Sequence, residues 1–193
     1  MKNFLQGFAV LTHPIFLPLF SLIIYAPLVA GQGQDAWILA SVWIGFVYLI
    51  LPLVYFKVVR KINFANPSLT DRKSIFRTYL LVNIGFALVN VFLMSEYISF
   101  FLGASLLHLL LRILILIDMK ASWHTAVWSF LVTAGLMVLY NFQFVNLPVM
   151  IASAFVVLLL VYATRYTQKV HSHLELIMGV SVGAISSLPI LFF

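Results

Sequence analysis

The stretch ISFFLGASLLHLLLRILILI, residues 98–117, contains only two ionisable groups, His108 and Arg112. About 20 predominantly apolar residues suffice to cross the hydrocarbon core of a bilayer, so this run reads as a membrane-spanning helix. Its two ionisable residues share a face at i, i+4 in a setting where charge is costly, and Arg112 is expected to snorkel toward the polar end of the helix. The rest of the chain has the same character. Of its 193 residues 64% are hydrophobic and 8% charged, 18 are Phe, and the mean hydropathy is +1.12. Soluble domains carry about 25% charged residues, so the class is an integral membrane protein.

Cutting the chain at its polar interruptions places spans over 5–29, 36–56, 76–94, 98–117, 123–141, 147–164 and 174–193. The expected fold is all-α: a multi-pass transmembrane helical bundle of about six to seven helices. No composition shift, linker or repeat divides it, so residues 1–193 are expected to form a single domain. The opening MKNFLQGFAVLTHPIFLPLF lacks a small-residue cleavage site and reads as a retained first helix. His13 with Pro14 and Pro18 suggests a kink in that helix. The chain has no Cys, which excludes disulfides, Cys-ligated zinc and thiol chemistry.

The interruptions GQGQD (31–35), SEY (95–97) and NFQFVN (141–146) contain neither Lys nor Arg. Every Lys and Arg except Arg112 falls instead on the opposite face, in the N-terminus, in 57–77, in DMKASWH (118–124) and in RYTQKVHSHLE (165–175). Side-sorting of cations explains Lys2, Lys57, Arg60 and Lys61. It does not explain why Arg72, Lys73, Arg77, Lys120 and Arg165 stand at helix ends beside His124, His171 and Glu175. Helical hairpins returning to one face can set these ends side by side as one pocket. Several cations with few carboxylates favour an anion, and the planar guanidinium fork suits phosphate oxygens. Two histidines supply what phosphoryl transfer to imidazole requires, a nucleophile and a group to protonate the leaving oxygen. Glu175, four residues after His171, is expected on the same helical face, holding the Nδ1 proton so that Nε2 can attack.

Arg165, His171 and Glu175 have the spacing of the third signature of the type 2 phosphatidic acid phosphatase superfamily, which usually reads SR, five residues, H, three residues, D. The chain resembles that superfamily, with Thr164 in place of the Ser and Glu175 in place of the Asp. KASWH (120–124) is similar to the second signature, PSGH: Ser122 and His124 are kept, while Ala121 and Trp123 replace Pro and Gly. DRKSIFR (71–77) approximates the first signature, a Lys six residues before Arg-Pro, without the Pro and at shorter spacing. With Gly179 and Gly183 of the last span, the resemblance runs over about residues 70–183 and looks like a small, divergent bacterial membrane branch. It implies a core of that family's type and a metal-independent lipid phosphatase that needs no cofactor. His171 would attack phosphorus, Glu175 would orient it and His124 would protonate the leaving group. Arg165, Lys120, Ser122, Arg72, Lys73 and Arg77 would hold the phosphate.

The expected partners are the bilayer and a lipid phosphate or diphosphate, with no nucleic acid and no bound metal. The rival readings are a metal-dependent hydrolase on His171, His173, Glu175, His124 and Asp118, and a non-catalytic lipid-phosphate-binding protein. The first lacks an HExxH motif and would set a cation among cations. Ser122 also reads as a helix N-cap, and His173, two positions from His171, is expected to point elsewhere. The expected location is the cell (inner) membrane. Charge sorting makes the site face cytoplasmic, whereas the family resemblance implies an extracytoplasmic site.

Overall fold

Pro67 and Ser68 begin helix α1 (Leu69–Phe92) with a reciprocal cap. The Asp71 N–H donates to Ser68 Oγ at 3.1 Å, and the Ser68 N–H donates to Asp71 Oδ2 at 3.1 Å. That cap carries the helix back past the expected start at 76, so Arg72 and Lys73 lie on the same helix as Arg77. The computed structural model describes residues 7–8, 12–14, 45, 50, 54–62, 67–92, 98–141 and 146–192. A π-helical turn (Val54–Val59) precedes α1, and α2 (Ile98–Leu116), α3 (Trp123–Asn141), α4 (Leu147–Thr167) and α5 (His173–Ser186) follow it. A 3₁₀ turn (Leu188–Phe192) extends α5, and no strand occurs among the described residues.

The protein is therefore all-helical over the described residues. Ile98–Leu116, Pro148–Thr167 and His173–Phe192 are each long and apolar enough to cross a membrane. Helix α1 carries Asp71, Arg72, Lys73 and Arg77 in its first turns, and the apolar part of α3, Trp123–Val138, is shorter. Most of the expected spans 5–29 and 36–56 lies outside the described residues. Helix α4 runs on through Thr167, three residues past its expected end, so Arg165 is held on a helix.

Helix α3 is the centre of the bundle, packed closely on α5 and more lightly on α4, while α1 packs on α2. The α3–α5 seam is built from small residues. Three α3-side groups bond to α5 carbonyls: the Ser122 N–H to Glu175 O at 2.9 Å, Thr125 Oγ1 to Leu176 O at 3.1 Å, and Ser129 Oγ to Val180 O at 2.7 Å. Such bonds in membrane proteins average about 0.6 kcal/mol each, so they align the helices more than they hold them. Holding falls to close approach: a Cβ on Gly179 would strike Thr125 Oγ1, and one on Gly183 would strike Ala126 O. Glycine is required there by space, not by backbone angle. This seam fixes the start of α3, with His124, against the start of α5, with His171 and Glu175 just before and within its first turn.

Candidate functional site

The starts of α1 and α5 and the segment that leads into α3 meet at one place. A pocket of 270 Å³ is lined by Pro67 and Leu69 before and at the start of α1, Arg72 in its first turn, Lys120 before α3, and Val170, His171 and Glu175 around the start of α5. The two cations Arg72 and Lys120 make the pocket suited to an anion. Burial pulls the Arg72 guanidinium below its ordinary value, while the Glu175 carboxylate opposes that shift. One carboxylate does not balance Arg72, Lys120 and Arg165, and a bound anion would.

His171 Nδ1–H donates to Glu175 Oε2 at 3.0 Å. The pair forms as expected, but for a different reason. His171 does not lie on the helix: Ser172 is the N-cap of α5 and Glu175 its third residue, and the two make a capping box. Glu175 Oε2 accepts the Ser172 N–H at 3.1 Å while Ser172 Oγ accepts the Glu175 N–H at 3.2 Å. The same oxygen that closes the box meets His171, so the helix start itself orients the imidazole. With Nδ1–H donated to the carboxylate, Nε2 keeps its lone pair.

Burial holds His171 below the ordinary imidazole value of 6.5; the hydrogen bond to Glu175 and its charge pull upward, and Arg72 and Arg165 add to the lowering. His171 is thus neutral at pH 7, the form a nucleophile needs. The sign for stability follows. As pH falls through 6.5 the unfolded chain takes up the proton first, so this group's contribution to stability is present above that value and declines below it. Glu175→Gln removes the upward pull and should move the His171 midpoint lower still. Proton NMR titration of the imidazole tests both: a midpoint at or above 6.5, or an upward move in the variant, would refute this assignment.

Arg165 and His124 do not line that pocket but lie within electrostatic reach of Arg72 and His171; the Arg165 guanidinium bonds to the His124 ring and donates to Gln168 Oε1 at 2.7 Å. Among the described residues its buried Nε has no partner, nor does Thr164 Oγ1. The electrostatic neighbours of His124 are Arg165, His13, His171 and Arg72, so both histidines of the expected pair share one field. Trp128 Nε1 donates to Thr12 O at 2.8 Å, which ties residues 12–14 to α3 and sets the His13 ring edge-on to His124 at 5.1 Å. His13, expected only to mark a kink, is a neighbour of the site.

Not every expected ligand is brought in. Lys73 and Arg77 are exposed on other faces of α1, 100° and 140° around the axis from Arg72 at 3.6 residues per turn, and neither lines the pocket. Ser122 is fully buried, its Oγ 3.5 Å from the Thr125 N–H in the N-cap position of α3, which favours the capping reading. The Trp123 ring packs against Phe76 at 5.7 Å and Tyr79 at 5.9 Å, so its bulk enters the α1–α3 interface and not the pocket. His173 turns away from His171: Nδ1 is 2.7 Å from the Tyr162 hydroxyl and its ring stacks on Tyr166. His108, inside α2, is fixed by Ala104 O at 2.8 Å and lies under Tyr79, apart from the pocket. Asp118, at positive φ beyond α2, is exposed. Comparisons with protein-family models, with curated proteins and with solved structures find no match to this chain.

Proposed function

We propose that the chain is a multi-pass membrane phosphatase of the type 2 phosphatidic acid phosphatase kind, with that family's six- to seven-helix plan, acting on a lipid phosphate or diphosphate monoester. The observation that carries this reading is the closure of Arg72 and Lys120 around a neutral, carboxylate-oriented imidazole. His171 Nε2 attacks phosphorus as the bond to the leaving oxygen breaks, giving a phosphohistidine and a free lipid alcohol or lipid phosphate. Arg72, Lys120 and Arg165 neutralise the non-bridging oxygens. Arg165 now bonds to His124; a phosphate that draws the guanidinium onto its own oxygens frees the ring to carry the proton for the leaving oxygen. Water then attacks the phosphohistidine, His124 takes its proton, and inorganic phosphate departs. Ser122, Lys73 and Arg77 have no part in this sequence.

A second reading, a non-catalytic lipid-phosphate-binding protein, draws support from the same Arg165–His124 contact, because a ring already engaged by a guanidinium is a poor proton donor. Phosphate release separates the two. The purified protein should release phosphate from at least one of phosphatidic acid, phosphatidylglycerophosphate, an isoprenyl diphosphate and a lipid A phosphate, equally with and without EDTA. Arg72→Gln should raise KM about tenfold, as loss of one charge-assisted phosphate contact does, with Lys73→Gln within about twofold of the parent. A folded protein that releases phosphate from none of the four lipids overturns the enzymatic reading.

A further inference from the structure

His13 is a third imidazole beside the site, and the phosphate chemistry above leaves it unused. Its backbone is fixed at the residue before it. The Thr12 N–H and the Thr12 hydroxyl both donate to Phe8 O, at 2.9 and 2.8 Å, and Thr12 O accepts from Trp128 Nε1 at 2.8 Å. Trp128 stands four residues after His124, so the two share a face of α3, and the bond from one lays residues 12–14 across the other. Thr12 and Pro14 are buried. Between them the His13 ring stands edge-on to His124, with centroids 5.1 Å apart at 90°, and edge-on to Trp123 at 6.3 Å and 76°. Turned nitrogen to nitrogen, two imidazoles at that separation have room for one N–H···N bond of about 2.9 Å.

The proposed chemistry has a need at this spot. A guanidinium only donates, so the His124 nitrogen that Arg165 holds must offer a lone pair, and the ring is neutral. When a phosphate draws Arg165 away, the leaving oxygen needs a proton that His124 did not hold, because a neutral ring that gave up its own N–H would be left an imidazolate. Of the electrostatic neighbours of His124, two are arginines, which do not release a proton, and His171 has its Nδ1–H committed to Glu175. That leaves His13, a half-buried ring in contact with His124. We propose that His13 is the proton store of the site: as Arg165 moves onto the phosphate, the His13 imidazolium passes its proton to the freed nitrogen of His124, and His124 passes it to the leaving oxygen. When water attacks the phosphohistidine, the proton it loses returns through His124 to His13, and Arg165 closes on the neutral ring again. Over the cycle one water is consumed and both rings end as they began. His13 acts through His124 and touches no substrate atom, and the inference rests on the lipid-phosphatase reading.

The leaving group separates a proton store from a packing role. A lipid alkoxide needs a proton to depart, whereas nitrophenolate departs without one. His13→Phe keeps a ring against Trp123 and His124 but carries no proton. With the purified full chain in detergent, it should lower kcat at least about tenfold on whichever of the four lipids above the parent hydrolyses, with KM within about twofold and nitrophenyl phosphate hydrolysis within about threefold of the parent. Added imidazole should raise the lipid rate of His13→Ala at least about threefold, and pyrazole, a ring of the same size but too weak a base to carry the proton, should not. Circular dichroism and monodispersity confirm that each variant is folded, and His13→Gln, with the same expected loss as His13→Phe, serves if the other changes disrupt folding. A lipid rate within about twofold of the parent, an equal loss on lipid and nitrophenyl phosphate, or no rescue by imidazole each overturns the proton store and leaves the phosphatase reading standing. A folded parent that releases phosphate from none of the four lipids overturns that reading, and the proton store with it.

Discussion

Under the proposed mechanism, replacing His171 with Ala is expected to lower phosphate release by at least about a thousandfold, because loss of the proposed covalent nucleophile removes the route itself and not one contact along it. Glu175→Gln should cost far less. The carboxylate orients the ring and favours one tautomer, and a glutamine carbonyl can still accept from Nδ1. The chemistry of the intermediate supplies an independent readout: brief mixing with a lipid carrying labelled phosphate should leave label on the parent chain that is lost in acid and survives alkali, as a phosphorus–nitrogen bond requires. His171→Ala should carry none. The His171 side chain is 8% exposed and lies outside the helices, so truncating it leaves the α3–α5 seam intact and a loss of rate does not reflect unfolding. Label that persists in His171→Ala would move the nucleophile elsewhere, with His124 the next imidazole in the same field.

Hydropathy alone located the helical segments α1 to α5, because a run of apolar residues as long as a bilayer is thick has few other uses. The His171–Glu175 pair is also legible as a spacing, yet the geometry that joins the two residues is not that of two helical positions. The i, i+4 rule assumes both residues are helical, whereas a capping box brings the same two positions together at a helix start. Ser172 was the available signal, a Ser three residues before a Glu and an apolar run. Arg72 could not be separated from Lys73 and Arg77 because α1 is apolar on several faces. Only its packing on α2, which buries Ile75, Phe76, Tyr79 and Asn83, shows which side turns inward. His13 stands more than a hundred positions from His124, and no periodicity reports such a contact. Thr125 and Ser129, which align the seam, look in sequence like ordinary small residues of an apolar helix.

Putting a side chain on Gly183 should cost the site as well as the fold. A Cβ there would lie on Ala126 O and 2.7 Å from Phe130 N, both backbone atoms of α3 that no rotamer change can move aside. The helices must separate. Gly183→Ala is expected to destabilise the protein by about 1–3 kcal/mol, as overpacking does, and Gly183→Leu to yield no folded, monodisperse protein. Gly85 is the control: no described residue lies within 4 Å of its Cβ position on α1, so Gly85→Ala should be neutral or stabilising by up to about 1 kcal/mol through helix propensity. Thermal unfolding followed by size-exclusion in detergent distinguishes them. Because Ser122, Thr125 and Ser129 bond to α5 carbonyls along this seam, a separation at Gly183 also moves the start of α3 relative to that of α5. Gly183→Ala protein that survives should therefore lose activity out of proportion to its stability, since His124 and His171 stand on the two helix starts that the seam holds in register. If Gly183→Ala melts with the parent and keeps its rate, the α3–α5 approach is looser than described, and the two histidines are not held by it.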